Sequence, residues 1–220
     1  MHKPSETAGQ PARQLTLMDL LDSRENRVHH QKELLERFTG FTDSGVFADS
    51  VASSASASCS EKCRNVTLVS MTLNIPGPVK DRPEYRRALE TGLYRLKAML
   101  DFKSILHEEF RPLITGPEGY MVIAGDPMEI KKAAIAAEEA DALGRLFDMD
   151  VLSIDDAAQP DAEGHFSLTD ITSMSRSQLG VPPRKCLLCG EDAKACARSR
   201  AHTMDDLLKK INEILSDAGL

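Results

Sequence analysis

Two periodicities alternate along this chain. Residues 66 to 75 read Val-Thr-Leu-Val-Ser-Met-Thr-Leu-Asn-Ile, the near period-two pattern of a strand, and Pro76-Gly77-Pro78 ends it. From about Pro83 to Asp101, Leu89, Leu93, Leu96 and Leu100 recur at helical spacing and predict an amphipathic helix. Ser104 to Thr115 reads as a strand in spite of Pro112, and Gly116-Pro117-Glu118-Gly119 as a turn, with proline second and glycine fourth. Tyr120 to Ala124 is the next strand, and Asp126 is placed to cap an alanine-rich helix over about 127 to 141. Gly144-Arg145 ends that stretch and leads into Leu146-Phe147-Asp148-Met149-Asp150-Val151-Leu152, a further strand.

The order β-α-β-β-α-β predicts an α+β fold: a ferredoxin-like sandwich with helical additions at both ends, the competing topology being a nucleotidyltransferase-like mixed sheet. The N-terminal addition is a helix capped by Thr16 or Asp19 and carrying Leu17, Leu20, Leu21, Val28, Leu34 and Leu35; Asp22-Ser23 offers a point where it can break in two. The C-terminal addition runs from about Met204 to Asp217, with Leu207, Leu208, Ile211, Ile214 and Leu215 on one side. Residues 1–13 are expected to be a disordered tail, 14–39 a helical segment, 40–63 a flexible Ser/Ala-rich insertion with incidental thiols at Cys59 and Cys63, and 64–220 a single catalytic domain.

Composition narrows the function classes. With 220 residues, 41% of them hydrophobic and 28% charged, the chain can build one substantial core. It contains no apolar run of about 18 residues, so no membrane association is expected. Its first residues, Met-His-Lys-Pro-Ser-Glu-Thr, lack the apolar core of a secretory signal. Five cysteines, three of them within eleven positions, suit a reduced, cytoplasmic setting better than a disulfide scaffold. A net charge of -7 argues against nucleic acid as a partner, and so does an aromatic set with no Trp. Between Arg176 and His202, however, six basic residues stand against only two acidic ones, a balance that can suit an anion or an acidic partner or can simply solvate a loop.

Three sets of residues carry candidate chemistry. Asp148 and Asp150 stand two apart on a strand, so both carboxylates point to one face while Phe147, Met149 and Val151 point to the core. Paired carboxylates repel unless a cation lies between them, and Mg²⁺ commonly takes one or two carboxylates plus substrate phosphates; the bland reading is a strand with an acidic outer face. Cys186, Cys189, Cys196 and His202 form C-x2-C-x6-C-x5-H, which can close a tetrahedral Zn²⁺ site or can simply pack a corner of the core. Lys80, in the Pro76-Gly77-Pro78-Val79-Lys80-Asp81 loop ahead of a helix, is a candidate anion contact. Arg24, Arg27 and Gln31 share one polar helix face, for which solvent is the default partner.

Four ordered blocks carry a family resemblance: Pro-Gly-Pro-Val-Lys-Asp at 76 to 81, Gly-Pro-Glu-Gly at 116 to 119, Gly-Arg-Leu-Phe-Asp-Met-Asp-Val-Leu at 144 to 152, and Pro-Pro-Arg-Lys-Cys-Leu-Leu-Cys at 182 to 189 continuing to His202. Together they resemble the citrate lyase holo-acyl-carrier-protein synthases, the apo-citrate lyase phosphoribosyl-dephospho-CoA transferases. The resemblance implies a nucleotidyl-type transfer of 2'-(5''-triphosphoribosyl)-3'-dephospho-CoA to a serine of the apo acyl-carrier subunit of citrate lyase, with release of pyrophosphate. It implies Mg²⁺ on Asp148 and Asp150. Arg145 and the cluster of Arg184, Lys185, Arg198 and Arg200 would then offset phosphate charge or receive the acidic carrier. A zinc-stabilised binding or regulatory module without catalysis is the reading from another class.

Overall fold

The structure, a computed structural model, describes residues 15–40 and 66–220. The tail expected at 1–13, nearly all of the insertion expected at 40–63, Cys59 and Cys63 lie outside the described residues. The central run is β1 (Val66–Leu73), α2 (Pro83–Met99), β2 (Ile105–Arg111), β3 (Glu118–Ala124), α3 (Pro127–Glu139) and β4 (Phe147–Ile154). Helix α1 (Leu17–Gly40) precedes it, and β5 (Ile171–Met174), α4 (Ala193–Ser199) and α5 (Met204–Asp217) follow. This is an α+β fold built on one five-stranded sheet, in the order β2-β3-β1-β4-β5. Every neighbouring pair is antiparallel. The mixed-sheet alternative is corrected by that pairing.

Period-two alternation gives the sheet two different faces. On one, Val69 and Met71 of β1, Met121 and Ile123 of β3, and Phe147, Met149 and Val151 of β4 meet Leu89, Leu93 and Leu96 of α2 and Ile130, Ala134 and Ala137 of α3. Helix α5 adds Ile211, Ile214 and Leu215 to the same core, the side its periodicity predicts. On the other face, Leu34 and Leu35 of α1 lie against Val66, Leu68, Tyr120, Val122 and Leu152. Leu35 is fully buried, and each such side chain stabilises the fold by roughly 1.5–3 kcal/mol relative to exposure. No helix among the described residues is long and apolar enough to cross a membrane.

Two local expectations need correction, and one strand has no counterpart among them. Helix α1 does not break at Asp22-Ser23; instead Ser23 Oγ hydrogen-bonds Thr115 Oγ1 at 2.9 Å, so a residue with modest helix propensity is held by a tertiary contact. Its start is a reciprocal cap in which Thr16 N–H donates to Asp19 and Asp19 N–H donates to Thr16 Oγ1. The turn before β3 closes at Leu113–Gly116, where Gly116 N–H donates to the Leu113 carbonyl, and Glu118 and Gly119 already belong to the strand. Gly119 packs closely there: a Cβ would come within 2.8 Å of Leu93 Cδ1, so the leucine would have to shift to admit one. Finally, β5 is an edge strand of only four residues, Ile-Thr-Ser-Met, too short and polar to show a periodicity.

Gly144 has a stricter role. It sits in a 3-10 turn, Leu143–Leu146, pressed against the end of α3, and a Cβ would lie 2.6 Å from the Ala137 carbonyl oxygen and 2.7 Å from that of Glu138. Neither backbone oxygen can swing away as a side chain could. Gly144→Ala is therefore expected to destabilise the protein by about 1–3 kcal/mol, as overpacking does, and a lowered urea midpoint at unchanged m-value would register it.

Candidate functional site

The sheet face beneath α1 changes character half-way along. Its near end is apolar, but the alternation of β1 continues as Ser70 and Thr72, and that of β4 begins with Asp148 and Asp150. Ser70 lies opposite Asp150 and Thr72 opposite Asp148 in the antiparallel register. The part of α1 ahead of Leu34 crosses this polar half and meets it with polar side chains. Gln31 Nε2 donates to Ser70 Oγ at 2.8 Å, and Arg27 Nε donates to Glu118 Oε1 at 2.8 Å. Glu118 is 1% exposed, and its second oxygen accepts the Tyr120 hydroxyl at 2.6 Å. Burial first, and then the Glu118 carboxylate, raises the pKa of that phenol, so it remains a donor.

The two aspartates share a face, as their spacing requires, and both are exposed. Protein around Asp150 removes part of its carboxylate's hydration and the charge on Asp148 repels it, so its pKa is raised; Lys131, Arg27 and Arg184 pull in the opposite direction. Asp148 Oδ1 lies 3.8 Å from Arg184 Nη2. It also lines a cavity of about 240 Å³ whose other walls include Arg24, Lys80, Thr115 and Gly116. The Pro-Gly-Pro-Val-Lys loop and the loop before β3 thus converge beside the acidic strand.

Strand β5 pairs with β4 only over Val151–Ile154, so among the described residues the edge of the Asp148–Asp150 half has no partner strand. Side chains replace the missing ladder. Arg184 Nη1 donates to the Phe147 carbonyl at 2.7 Å, Lys131 Nζ to the Met149 carbonyl at 2.8 Å, and Met149 N–H to Glu138 Oε1 at 3.0 Å. Glu138, 2% exposed, also pairs with Arg184 and with Arg176. Burial raises the pKa of Glu138 and lowers that of Lys131, each shift opposed by the neighbouring opposite charges.

Beyond Arg184 the chain forms a Cys/His group. The ligand atoms of Cys186, Cys189, Cys196 and His202 all lie within 4.8 Å of one another, with Cys189 Sγ 3.5 Å from Cys196 Sγ and 3.3 Å from His202 Nε2. Ligands around a tetrahedral zinc, with bonds of roughly 2.0–2.3 Å, stand about 3.4–3.8 Å apart. The Cys186–Cys189 turn is closed by Cys186 N–H donating to the Glu191 carbonyl, and Leu188 N–H points at Cys186 Sγ. Burial pushes the Cys186 thiol up, but the backbone N–H groups of Leu188 and Cys189 outweigh it and bring the pKa down to about 7. Helix α4 carries Cys196 and ends at Arg200 in the left-handed region, φ 50°, which turns the chain so that His202 faces the sulfurs. This Cys3His group can hold a metal ion.

The remaining predicted residues separate into two groups. Arg145 donates to the Lys185 carbonyl, tying the 3-10 turn ahead of β4 to the Cys/His segment. Lys185, Arg198 and Arg200 are exposed on that segment's surface. They do not converge on the aspartates.

Comparison with known proteins bears on the same blocks. The family model described as apo-citrate lyase phosphoribosyl-dephospho-CoA transferase matches residues 52–218. The chain belongs to that transferase family. Relatives carrying the family's name in Shigella boydii serotype 18 and Escherichia coli O157:H7 are each 36% identical over 154 residues, which is 69% of this chain and 76% of the relative.

For this transferase, sequence reasoning missed the contribution of α1. Arg24 and Arg27 are read there as a solvated face, yet Arg27 pairs with Glu118 and Arg24 enters the cavity wall. The signal that could have found them is the switch of β1 from Val66 and Leu68 to Ser70 and Thr72, since a helix crossing that face must match it with polar groups. Asp150 supplies the test of the site's electrostatics. A carboxyl whose folded pKa is raised opposes folding while ionised, and the penalty disappears as pH falls through that pKa. In buffer free of divalent ions, Asp150→Asn is expected to raise the urea midpoint at pH 7. The gain should vanish at acid pH, as comparative unfolding curves would record.

Proposed function

We propose that this chain transfers the phosphoribosyl-dephospho-CoA part of 2'-(5''-triphosphoribosyl)-3'-dephospho-CoA to a serine of the apo acyl-carrier subunit of citrate lyase, with release of pyrophosphate. The observation that carries the reading, beside family membership, is the convergence of Asp148, Asp150 and a cationic cavity on one polar half-face of the sheet. The serine oxygen forms a bond to the α-phosphorus and its proton passes to solvent water. The bond from that phosphorus to the bridging oxygen breaks, and the oxygen leaves with pyrophosphate.

Asp148 and Asp150 suit a hard cation: they are accessible oxygen donors on one face, and their mutual repulsion is relieved by one. Bound there, Mg²⁺ supplies charge stabilisation on the triphosphate. Lys80 contributes a cation from the cavity wall. Arg184, fixed by Glu138 and the Phe147 carbonyl, places another beside Asp148, so its position is set before substrate arrives. Arg145 is a positioning residue that acts through the Lys185 carbonyl. Lys185, Arg198 and Arg200 form a basic face for the acidic carrier.

Zn²⁺ is the metal that the Cys3His set fits, as a closed structural site holding the segment that bears Arg184. The free thiols of that set are in keeping with a reduced, cytoplasmic setting. The neighbour order β2-β3-β1-β4, with α2 and α3 on one face, supports a ferredoxin-like core within the single catalytic domain expected at 64–220; β5 extends its edge.

Incubating apo carrier with this chain, the triphosphoribosyl precursor and Mg²⁺ should raise the carrier's mass by the prosthetic group, with pyrophosphate released. Asp148→Asn and Asp150→Asn should each slow that transfer by about 10² or more while the fold persists, and near-normal turnover in both would exclude the carboxylates from the chemistry. Elemental analysis should find one zinc per chain, lost in Cys189→Ser. Stripping it with a strong chelator should lower the thermal midpoint; a metal-free wild-type protein of unaltered stability would refute the zinc site.

A further inference from the structure

The cavity between α1 and the two loops has an uncompensated charge. Arg24 stands at its wall with no hydrogen-bond or ion-pair partner among the described residues, while Lys80 donates to the Ile75 carbonyl and has no carboxylate partner there. Burial lowers the pKa of Lys80, and the charge of Arg24 lowers it further, so the two cations are close enough to repel. Arg27 and Arg184 differ from them, because each is already matched by a buried carboxylate, Glu118 or Glu138.

The cavity's other features narrow what would resolve that repulsion. At about 240 Å³ it is smaller than the roughly 300–1,000 Å³ of sites that enclose drug-sized ligands, so it can take only part of a large substrate. Its polar walls offer Ser23 and Thr115 hydroxyls, joined to each other at 2.9 Å. Gly116, at φ 118°, adopts a backbone conformation that L side chains rarely reach, and an added Cβ would lie 3.6 Å from the Lys80 carbonyl oxygen. The loop before β3 therefore lies close against the lysine loop. Asp148, the proposed cation ligand, is at the rim of the same cavity.

We infer that this cavity is the subsite for the leaving pyrophosphate: Arg24 and Lys80 hold the two terminal phosphates of the triphosphate while Asp148, at the rim, faces the phosphorus that is attacked. The assignment rests on the transferase reading. Arg24 becomes a substrate-binding residue from a helix that otherwise serves the fold. When the α-phosphorus to oxygen bond breaks, the electron pair and its oxygen remain with the phosphates that these two cations already neutralise. No further proton donor to the leaving group is required.

Titration calorimetry of the full chain with inorganic pyrophosphate and Mg²⁺ tests this without the carrier or the prosthetic group. Wild type should bind pyrophosphate, and Arg24→Ala and Lys80→Ala should each weaken it about tenfold or more, as loss of a charged hydrogen bond does. Arg24→Glu should weaken it further, and Lys132→Ala on the exposed side of α3 should bind as wild type does. Thermal unfolding of each variant establishes that the protein titrated is folded. Because Arg24 is exposed, its variants keep the test sharp even if Lys80→Ala unfolds. No binding by wild type, or wild-type affinity in folded Arg24→Ala and Arg24→Glu, would overturn the subsite. Carrier mass that never changes with wild type would instead overturn the transferase reading, so the two failures are distinct.

Discussion

One buried carboxylate holds the functional part of this protein together. Glu138, on the last turn of α3, accepts the Met149 N–H from the edge of β4 that β5 does not reach and pairs with Arg184 and Arg176 of the C-terminal segment. A strand edge must satisfy its backbone groups, and β5 is too short to reach that part of β4. The C-terminal segment and α3 do so with side chains. The segment bearing the cysteines is thereby docked onto the strand bearing the aspartates. Such a carboxylate would be costly to bury alone, and its two arginines and one backbone donor make it tolerable.

The second organising feature is the division of a single sheet face. Its apolar half takes Leu34 and Leu35 of α1 and its polar half takes Gln31, Arg27 and Ser23 of the same helix. One helix thus performs two tasks. Leu34 and Leu35 anchor it by burial, and the turns from Ser23 to Gln31 are held by hydrogen bonds. That arrangement explains why charged side chains accumulate beside a core: they are fixed by specific partners, while the apolar half of the same interface supplies the stabilisation.

Much of the architecture is legible in the residues. The strands and helices from Val66 to Ile154, the Asp126 cap, the inward set of Phe147, Met149 and Val151, and α5 all follow from periodicity and capping. The clustering of Cys186, Cys189, Cys196 and His202 also follows from spacing, because a two-residue gap closes a turn and a short helix can bring the third thiol back. The turn before β3 is less accessible. Gly-Pro-Glu-Gly has turn chemistry, but burial of Glu118 among Arg27, Arg111 and Tyr120 draws it into the strand instead. The site's partners come from elements far apart in the chain, and local pattern does not report on such pairings.

By itself the sequence determined which residues alternate, which helices have an apolar stripe, that two carboxylates share one face, and that four soft ligands stand close along the chain. These are consequences of backbone period and spacing, and they hold in any fold that keeps those elements. Only the tertiary structure decided that α1 crosses the polar half of the sheet, that Arg24 and Lys80 share one cavity with Asp148 at its rim, and that Glu138 joins the acidic strand to the Cys/His segment. Those outcomes depend on which surfaces pack together, and packing is settled by the burial and charge matching of the whole chain.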